Sequence, residues 1–409
     1  MTERVAGQGR GRPVCMVVHS YYEEDPRVRR EAEALVAGGR PVDVIALRRP
    51  EDGPSGELNG VRISRIDVQR HQGAGLWVYL REYVTFLARA GWAAVRAHRR
   101  RRYGLIQVHS LPDFLVFAAT PLKLAGVPVI LDLHEAMPEF FRTRFPTVRS
   151  PLVRRALLLQ ERLSIGVADR VLTVNELMAA RLVGLGVRPD KLTIVPNAPD
   201  LTLFDPTAHA RRAFREDGRL RVVYTGALTP TYELDIALEA IGRLAATRPD
   251  LDVRLELYGR GDSEDALRQQ AHRLGIADRL IFHGRIPLED VPAAVAAADI
   301  GIAPTRLDAF TAVSLSTKVF EYGAMGKPVV ASRLPLVEQT FPADTVLTYP
   351  PGDPVAMADA IARLADDPLE REARVVRTSG RVRDLGWAAE AERYRNLVDG
   401  LVDDQPGTG

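Results

Sequence analysis

Cysteine is almost absent. The 409-residue chain has one, Cys15, so no disulfide can close within it, and such sparing use suits a reducing compartment. Lysine is scarce as well: only Lys123, Lys191, Lys318 and Lys327 stand among 55 basic residues. A formal net charge of +2 gives no bulk attraction for nucleic acid. No apolar run approaches the ~18 residues of a membrane span. The short VCMVV behind Arg4, Arg10 and Arg12 is too brief for the apolar core of a signal peptide. These absences lead to the expectation of a cytoplasmic protein with no nucleic-acid partner.

What the chain does contain is ample apolar material, 46% hydrophobic, enough for the two or three domains that roughly 100–200 residues per domain predicts. Short apolar runs alternate with helical periodicity. PVCMVVHS, PVDVIAL, VRISRID, GLIQVHS, VPVILDLHE, DRVLTV and KLTIVPN read as strands, with helical stretches between them, including RVRREAEALVAGG, Leu76 to about Arg100, and 151–168. After the Pro- and charge-bearing NAPDLTLFDPTAHARRAFREDG, a second run begins: RLRVVYTG, DVRLELYG, LIFHG, DIGIAP and KPVVAS, again separated by helices. Strand–helix alternation of this kind predicts α/β domains with parallel sheets. The expected division is a disordered leader at 1–12, a doubly wound domain at 13–200, a second at 201–380, and a last helix at 381–402 that returns to the first domain. The final DDQPGTG reads as a disordered tail. No short internal repeat is present.

Doubly wound sheets bind ligands at the C-terminal ends of their strands, which directs attention to a few loops. VVYTG supplies Gly226. LELYGRGD supplies Gly259, Arg260 and Gly261. LIFHGRIP supplies His283 and Arg285, and DIGIAPTRLD supplies Arg306 and Asp308. The stretch 316–332, STKVFEYGAMGKPVVAS, sets Glu321 among Val319, Phe320, Tyr322, Ala324 and Met325, all of which favour burial. A buried carboxylate is costly without a partner. Ser314, Ser316 or Thr317 can cap the helix that opens here, and free N–H groups at its start form an anion site. Lys318 in the first turn opposes the helix dipole unless an anion is bound. An i,i+3 ion pair with Glu321 is the plain alternative. The sharper reading sets a phosphate over the helix start and a sugar diol on the two oxygens of Glu321. In the first domain, VHSLPD places His109, and LDLHE places Asp132, His134 and Glu135, at strand ends.

With these motifs in order, the chain resembles the retaining GT-B glycosyltransferases of the large group that includes sucrose synthase-like and mannosyltransferase enzymes. The resemblance covers about residues 13–400. It rests on SYYEEDPRVRREAEALVAGGRPVDVIAL, VHSLPD, LDLHE, DRVLTVNELMAARL, KLTIVPNAPD, VVYTGALTP, LELYGRGD, LIFHGRIP, DIGIAP and STKVFEYGAMGKPVVAS. It implies a GT-B fold of two facing Rossmann-like domains with a cleft between them. It implies a transferase moving a sugar, with retention, from a nucleotide-diphosphate sugar to an acceptor hydroxyl, with no metal and no other cofactor. UDP is the expected nucleotide, with GDP and dTDP open. The acceptor is a sugar, a lipid-linked molecule or a small metabolite, as in polysaccharide or glycoconjugate biosynthesis. His109 and His134 match the catalytic-side histidines. Gly226, Gly259, Arg260, Arg285, Asp308, Ser316, Thr317, Lys318 and Glu321 match the donor side, with Glu321 on the ribose. Two positions that carry Arg and Lys in the family read Ala227 and Tyr232 here, and Val313 stands where an acidic residue is usual.

Binding of a nucleotide sugar or carbohydrate without catalysis is the alternative. A metal-dependent transferase would want a DxD; Asp250-Leu-Asp252 matches by letters but precedes a strand, at the wrong end of the sheet. HRRRRY at 98–103 follows a helix bearing Leu76, Trp77, Leu80, Val84, Leu87 and Trp92. That pattern fits either peripheral contact with the inner face of a membrane or an ordinary helix with a basic C-terminal end.

Overall fold

A computed structural model describes residues 11–71, 75–145, 148, 150–198, 201–210 and 212–403. The expectations of disorder for 1–10 and 404–409 fall outside these residues. Arg12, placed in the leader by its composition, is held: its guanidinium donates to the Tyr103 carbonyl at 3.2 Å, and its own carbonyl accepts from Arg40 at 3.0 Å. The chain divides into two compact units, one of residues 1–196 with 388–409 and one of 197–387.

In the first unit, β1 (Val14–Val17), β2 (Val42–Leu47), β3 (Ser55–Leu58), β4 (Val61–Ile66), β5 (Leu105–His109), β6 (Val129–Leu133), β7 (Arg170–Thr173) and β8 (Leu192–Ile194) form one sheet in the order 3-4-2-1-5-6-7-8. All neighbours are parallel except the β3–β4 hairpin. The hairpin strand SGEL is exposed and carries no apolar alternation, so the sequence pattern gives no sign of it. The inner strands β1, β2, β5 and β6 are buried throughout and mostly apolar, because helices cover both faces of a parallel sheet. The last helix, Trp387–Asp403, packs onto this unit: Asp399 accepts two hydrogen bonds from Arg40, at 2.6 and 3.0 Å.

The second unit has an all-parallel sheet of β9 (Arg219–Thr225), β10 (Asp252–Tyr258), β11 (Leu280–Gly284), β12 (Ile300–Ala303), β13 (Val329–Ser332) and β14 (Leu347–Tyr349), in the order 11-10-9-12-13-14. Strand periodicity sorts its core. Leu220, Val222 and Tyr224 of β9 join one apolar cluster and Val223 joins the other, as alternate side chains must. The helix Thr317–Ala324 lies close to β12: a Cβ added to Gly301 would fall 2.3 Å from the Tyr322 ring. The same tyrosine's hydroxyl accepts the Thr225 N–H at 2.9 Å, tying that helix to the end of β9.

In each sheet the strand order reverses once, between β1 and β5 and between β9 and β12. Crevices open at the C-terminal edge at such reversals. His19 and His109 stand at the first, Gly226 and the Arg306 loop at the second.

Candidate functional site

Register builds the candidate site of the first unit. In the β5–β6 ladder His109 pairs directly with Asp132, and His134 follows two residues on, pointing the same way as Asp132. His109 Nδ1 and His134 Nε2 each lie 2.8 Å from the same oxygen, Oδ2 of Asp132. The two rings stack nearly parallel, 6° apart, with centroids 5.7 Å apart. All three side chains are buried. Among the described residues this is the one group of histidine and carboxylate atoms close enough to surround an ion, yet its spacings are those of hydrogen bonds. A carboxylate only accepts, so both facing nitrogens carry hydrogen. Burial raises the Asp132 carboxyl, but the pull of His134 and the bonds from both rings outweigh it and hold it well below the usual range. Burial pushes His134 down, against the pull of Asp132. With their facing nitrogens on Asp132, the rings turn His109 Nε2 and His134 Nδ1 away from it, and both atoms are buried without a hydrogen-bond partner. Such atoms are suited to receive a substrate hydroxyl.

A third histidine, His19, follows β1, and the strand-end motifs do not single it out. Val18-His19-Ser20 repeats the Val-His-Ser of 108–110, and that repeat is the signal the sequence offers for it. His19 Nε2 lies 3.1 Å from Glu82 of the long Leu76–Arg101 helix, whose other oxygen is 2.9 Å from His71 Nδ1. Its ring meets Tyr83 and Phe86 edge-on.

In the second unit the candidates gather around the Glu321 helix. Ser316 occupies the N-cap position, but its side chain makes no cap bond and its Oγ is buried without a partner. Lys318 is 7% exposed, and its ammonium lies 4.0 Å from the Tyr232 ring centroid and 5.0 Å from that of Tyr224. It reaches over the β9 loop, where a Cβ on Gly226 (φ +140°) would stand 2.8 Å from its Nζ. Tyr232 thus seats a cation. Glu321 is only partly buried, while Lys318, Val319, Phe320, Tyr322 and Gly323 around it are buried. Burial raises its carboxyl; the Lys318 charge and a hydrogen bond with Thr317 pull the other way. The second lysine of this stretch is structural: Lys327 Nζ donates to the carbonyls of Ala296 and Ala298, both at 2.7 Å.

The remaining donor-side candidates sit on neighbouring loops. Gly259 (φ +155°) passes so close to Gly226 that a Cβ would fall 1.8 Å from its carbonyl oxygen, so glycine is needed there for packing. Arg260 and Arg285 are exposed on the loops after β10 and β11. His283 stacks on Tyr258 at 4.0 Å. Asp308 closes its own loop, where Oδ1 accepts from the N–H groups of Phe310 and Thr311, at 2.8 and 2.9 Å. Asp250 and Asp252 lie at the opposite, N-terminal end of β10, paired with Arg248, Arg254 and Arg279.

Comparison with known proteins matches both units. Residues 23–198 match the family described as "Glycosyl transferase 4-like domain", and residues 219–367 match "Glycosyl transferases group 1". The chain belongs to the group 1 glycosyltransferases. One relative of this glycosyltransferase is a D-inositol 3-phosphate glycosyltransferase of Acidothermus cellulolyticus, 32% identical over 58% of this chain and 53% of that protein. The chain thus spans about half the length of that relative. Another is a GDP-mannose-dependent alpha-(1-6)-phosphatidylinositol monomannoside mannosyltransferase of Mycolicibacterium smegmatis, 28% identical over 79% of this chain and 88% of that one. Among solved structures, a sucrose-phosphate synthase of Thermosynechococcus elongatus superposes with a TM-score of 0.77 at 20% identity, over 96% of this chain and 100% of that one. Anabaena HepE in complex with UDP-glucose gives 0.70 at 15%, over 96% and 100%. At such identities these likenesses speak for the fold, two Rossmann-like sheets of the GT-B kind.

Proposed function

We propose that this glycosyltransferase moves a sugar, with retention, from a nucleoside-diphosphate sugar to an acceptor hydroxyl. The observation that carries the reading is Lys318, a nearly buried ammonium held on two aromatic faces at the start of the Glu321 helix. Its charge and the free N–H groups beside Ser316 make a seat for a diphosphate. Glu321 takes the ribose diol. Lys318 stands in for the two basic positions that read Ala227 and Tyr232 here, and it makes the reaction metal-independent. His109 Nε2 and His134 Nδ1 accept hydroxyls of the sugar and the acceptor. In the reaction the bond from the anomeric carbon to the phosphate oxygen breaks, the acceptor oxygen bonds to that carbon on the same face, and the acceptor's proton passes to the departing phosphate.

The donor we favour is a UDP-sugar. A UDP-glucose complex among the structural neighbours supports it, and the GDP-mannose-dependent relative makes GDP the competing base. The relatives' names favour an inositol-bearing acceptor. The test is incubation with UDP-, GDP- and dTDP-sugars and with inositol phosphate or phosphatidylinositol, in EDTA. Release of one nucleoside diphosphate with a product of unchanged anomeric configuration is expected. An inverted product contradicts the mechanism, and binding without release would favour the non-catalytic reading.

A lipid acceptor would call for contact with a bilayer. No helix among the described residues is long and apolar enough to cross a membrane. The Leu76–Arg101 helix buries Glu82, Phe86, Ala90 and Ala94, while Trp77, Val84 and Trp92 stay exposed, ahead of four basic residues in its last turn. We propose that this face rests on anionic lipid. The full chain should sediment with vesicles containing an anionic phospholipid and not with phosphatidylcholine alone, and replacing Trp77 and Trp92 with alanine should weaken binding several-fold. Equal binding to both vesicles would rule out charge-assisted docking.

A further inference from the structure

The carboxylate beneath the two histidines has a support of its own. Glu31, on the Pro26–Ala37 helix, is 1% exposed and is hydrogen-bonded to Asp132. Two carboxyl groups in such contact share a proton, because two charged ones repel. Both histidines donate to Asp132, so the charge belongs there and the proton on Glu31. Burial, joined by the Asp132 charge, raises the Glu31 carboxyl well above its usual range, while Arg30 on the same helix and the bond from Gln107 oppose this. Gln107 Nε2 donates to Glu31 Oε2 at 2.6 Å, and Gln107 Oε1 accepts the hydroxyl of Tyr394, on the C-terminal helix, at 2.6 Å. Gln107 lies two residues before His109 on β5 and points to the same side of the sheet.

The series has one consistent direction. The buried Tyr394 hydroxyl donates, which orients the Gln107 amide with its oxygen outward and its N–H₂ toward Glu31. That leaves Glu31 to accept from Gln107 and to donate to Asp132. Asp132 then accepts everything around it. We infer that Glu31 and Tyr394 are positioning residues for His109 and His134: the line Tyr394–Gln107–Glu31–Asp132 fixes the carboxylate onto which both rings donate, and so keeps their far nitrogens bare. The role assumes the proposed use of those nitrogens by substrate, but the arrangement itself can be read without substrate. A residue near the end of the chain thereby completes a site built from its first sheet.

The test is long-range proton–nitrogen NMR on the full chain with labelled histidine, the signals of His109 and His134 being assigned by their asparagine variants. Wild type should show hydrogen on Nδ1 of His109 and on Nε2 of His134. Glu31→Gln should keep this pattern, since its amide N–H donates where the acid O–H did. Glu31→Leu and Tyr394→Phe should give mixed tautomers or rings that titrate. Wild-type histidine signals in a folded Glu31→Leu would overturn the inference, and so would a Glu31→Gln as disturbed as Glu31→Leu. Should Glu31→Leu fail to fold, Tyr394→Phe decides: unchanged signals there overturn it.

Thermal unfolding gives a second readout. The unfolded glutamate ionises near its ordinary value of 4.5, whereas the folded one stays neutral to higher pH. The native state therefore holds this stability at acid pH and loses it as pH rises. The Tm advantage of Glu31→Gln over wild type should grow between about pH 5 and 8. A constant difference would contradict the shared proton. Neither readout depends on turnover, so failure of the glycosyl-transfer reading would show separately.

Discussion

Lys318→Met should lower kcat by roughly 100- to 1,000-fold, the range seen when one group aimed at developing charge is removed. Methionine keeps an unbranched apolar side chain against Tyr224 and Tyr232, so the fold should survive and the loss should report the charge. The leaving diphosphate gains negative charge as the glycosidic bond opens. In the proposed mechanism the ammonium that meets it is that of Lys318, nearly buried and seated 4.0 Å from the Tyr232 ring centre, so it would be already in place and cost little reorganisation. The same variant should weaken binding of a nucleoside diphosphate more than that of the monophosphate, and leave the nucleoside untouched. Lys318→Arg should rescue poorly, because the side chain passes within 2.6 Å of where a Gly226 Cβ would lie and a planar guanidinium needs more room. Steady-state kinetics of the three proteins decides the matter, and a Lys318→Met enzyme with wild-type kcat would remove Lys318 from the mechanism.

His109→Asn should reduce kcat by about 100-fold, the cost expected of a misplaced reacting group. Asparagine keeps an N–H for Asp132, so the buried carboxylate retains its donors, and only the far acceptor nitrogen is lost. His109→Ala should lose stability as well as rate, since it leaves Asp132 short of one charge-assisted hydrogen bond, an interaction of roughly 1.5–3 kcal/mol. Comparing the two separates the contact to substrate from the support of Asp132. Full activity in His109→Asn would show that no hydroxyl depends on Nε2.

The sequence disclosed the frame because each strand of a covered parallel sheet is a short apolar run, and the loops carrying chemistry follow those runs. The placement of His109 and His134 at strand ends, and of Lys318 and Glu321 on one helix, was legible on that basis. What stayed hidden was mostly contact between distant segments. Asp132 was visible inside LDLHE, but its place beneath two histidines follows from the β5–β6 register, which a linear pattern does not state. Tyr232 read only as an absent lysine, and its ring's contact with Lys318 depends on how the β9 loop meets the Glu321 helix. Tyr394 bonds to Gln107 across 287 positions. Asp308, matched to the donor side, also closes a local turn, where its Oδ1 accepts from Phe310 and Thr311; an aspartate three residues before a threonine is itself a turn signal. The puzzle of a carboxylate among core residues also softens in three dimensions. Glu321 stays partly accessible while its neighbours are buried, as a group that serves a ligand must be.

Everything proposed for the second unit depends on Glu321 holding a nucleotide. The direct measurement is calorimetric titration of the wild-type chain and of Glu321→Ala with UDP, GDP and dTDP, with and without EDTA. One nucleotide should bind wild type equally well in EDTA. Glu321→Ala should bind it roughly ten- to a hundred-fold more weakly for each charged hydrogen bond lost, and should no longer distinguish it from its 2′-deoxy analogue. Wild-type affinity in a folded Glu321→Ala, or no binding of any of the three nucleotides to the wild-type chain, would contradict the assignment of this helix to a nucleotide sugar.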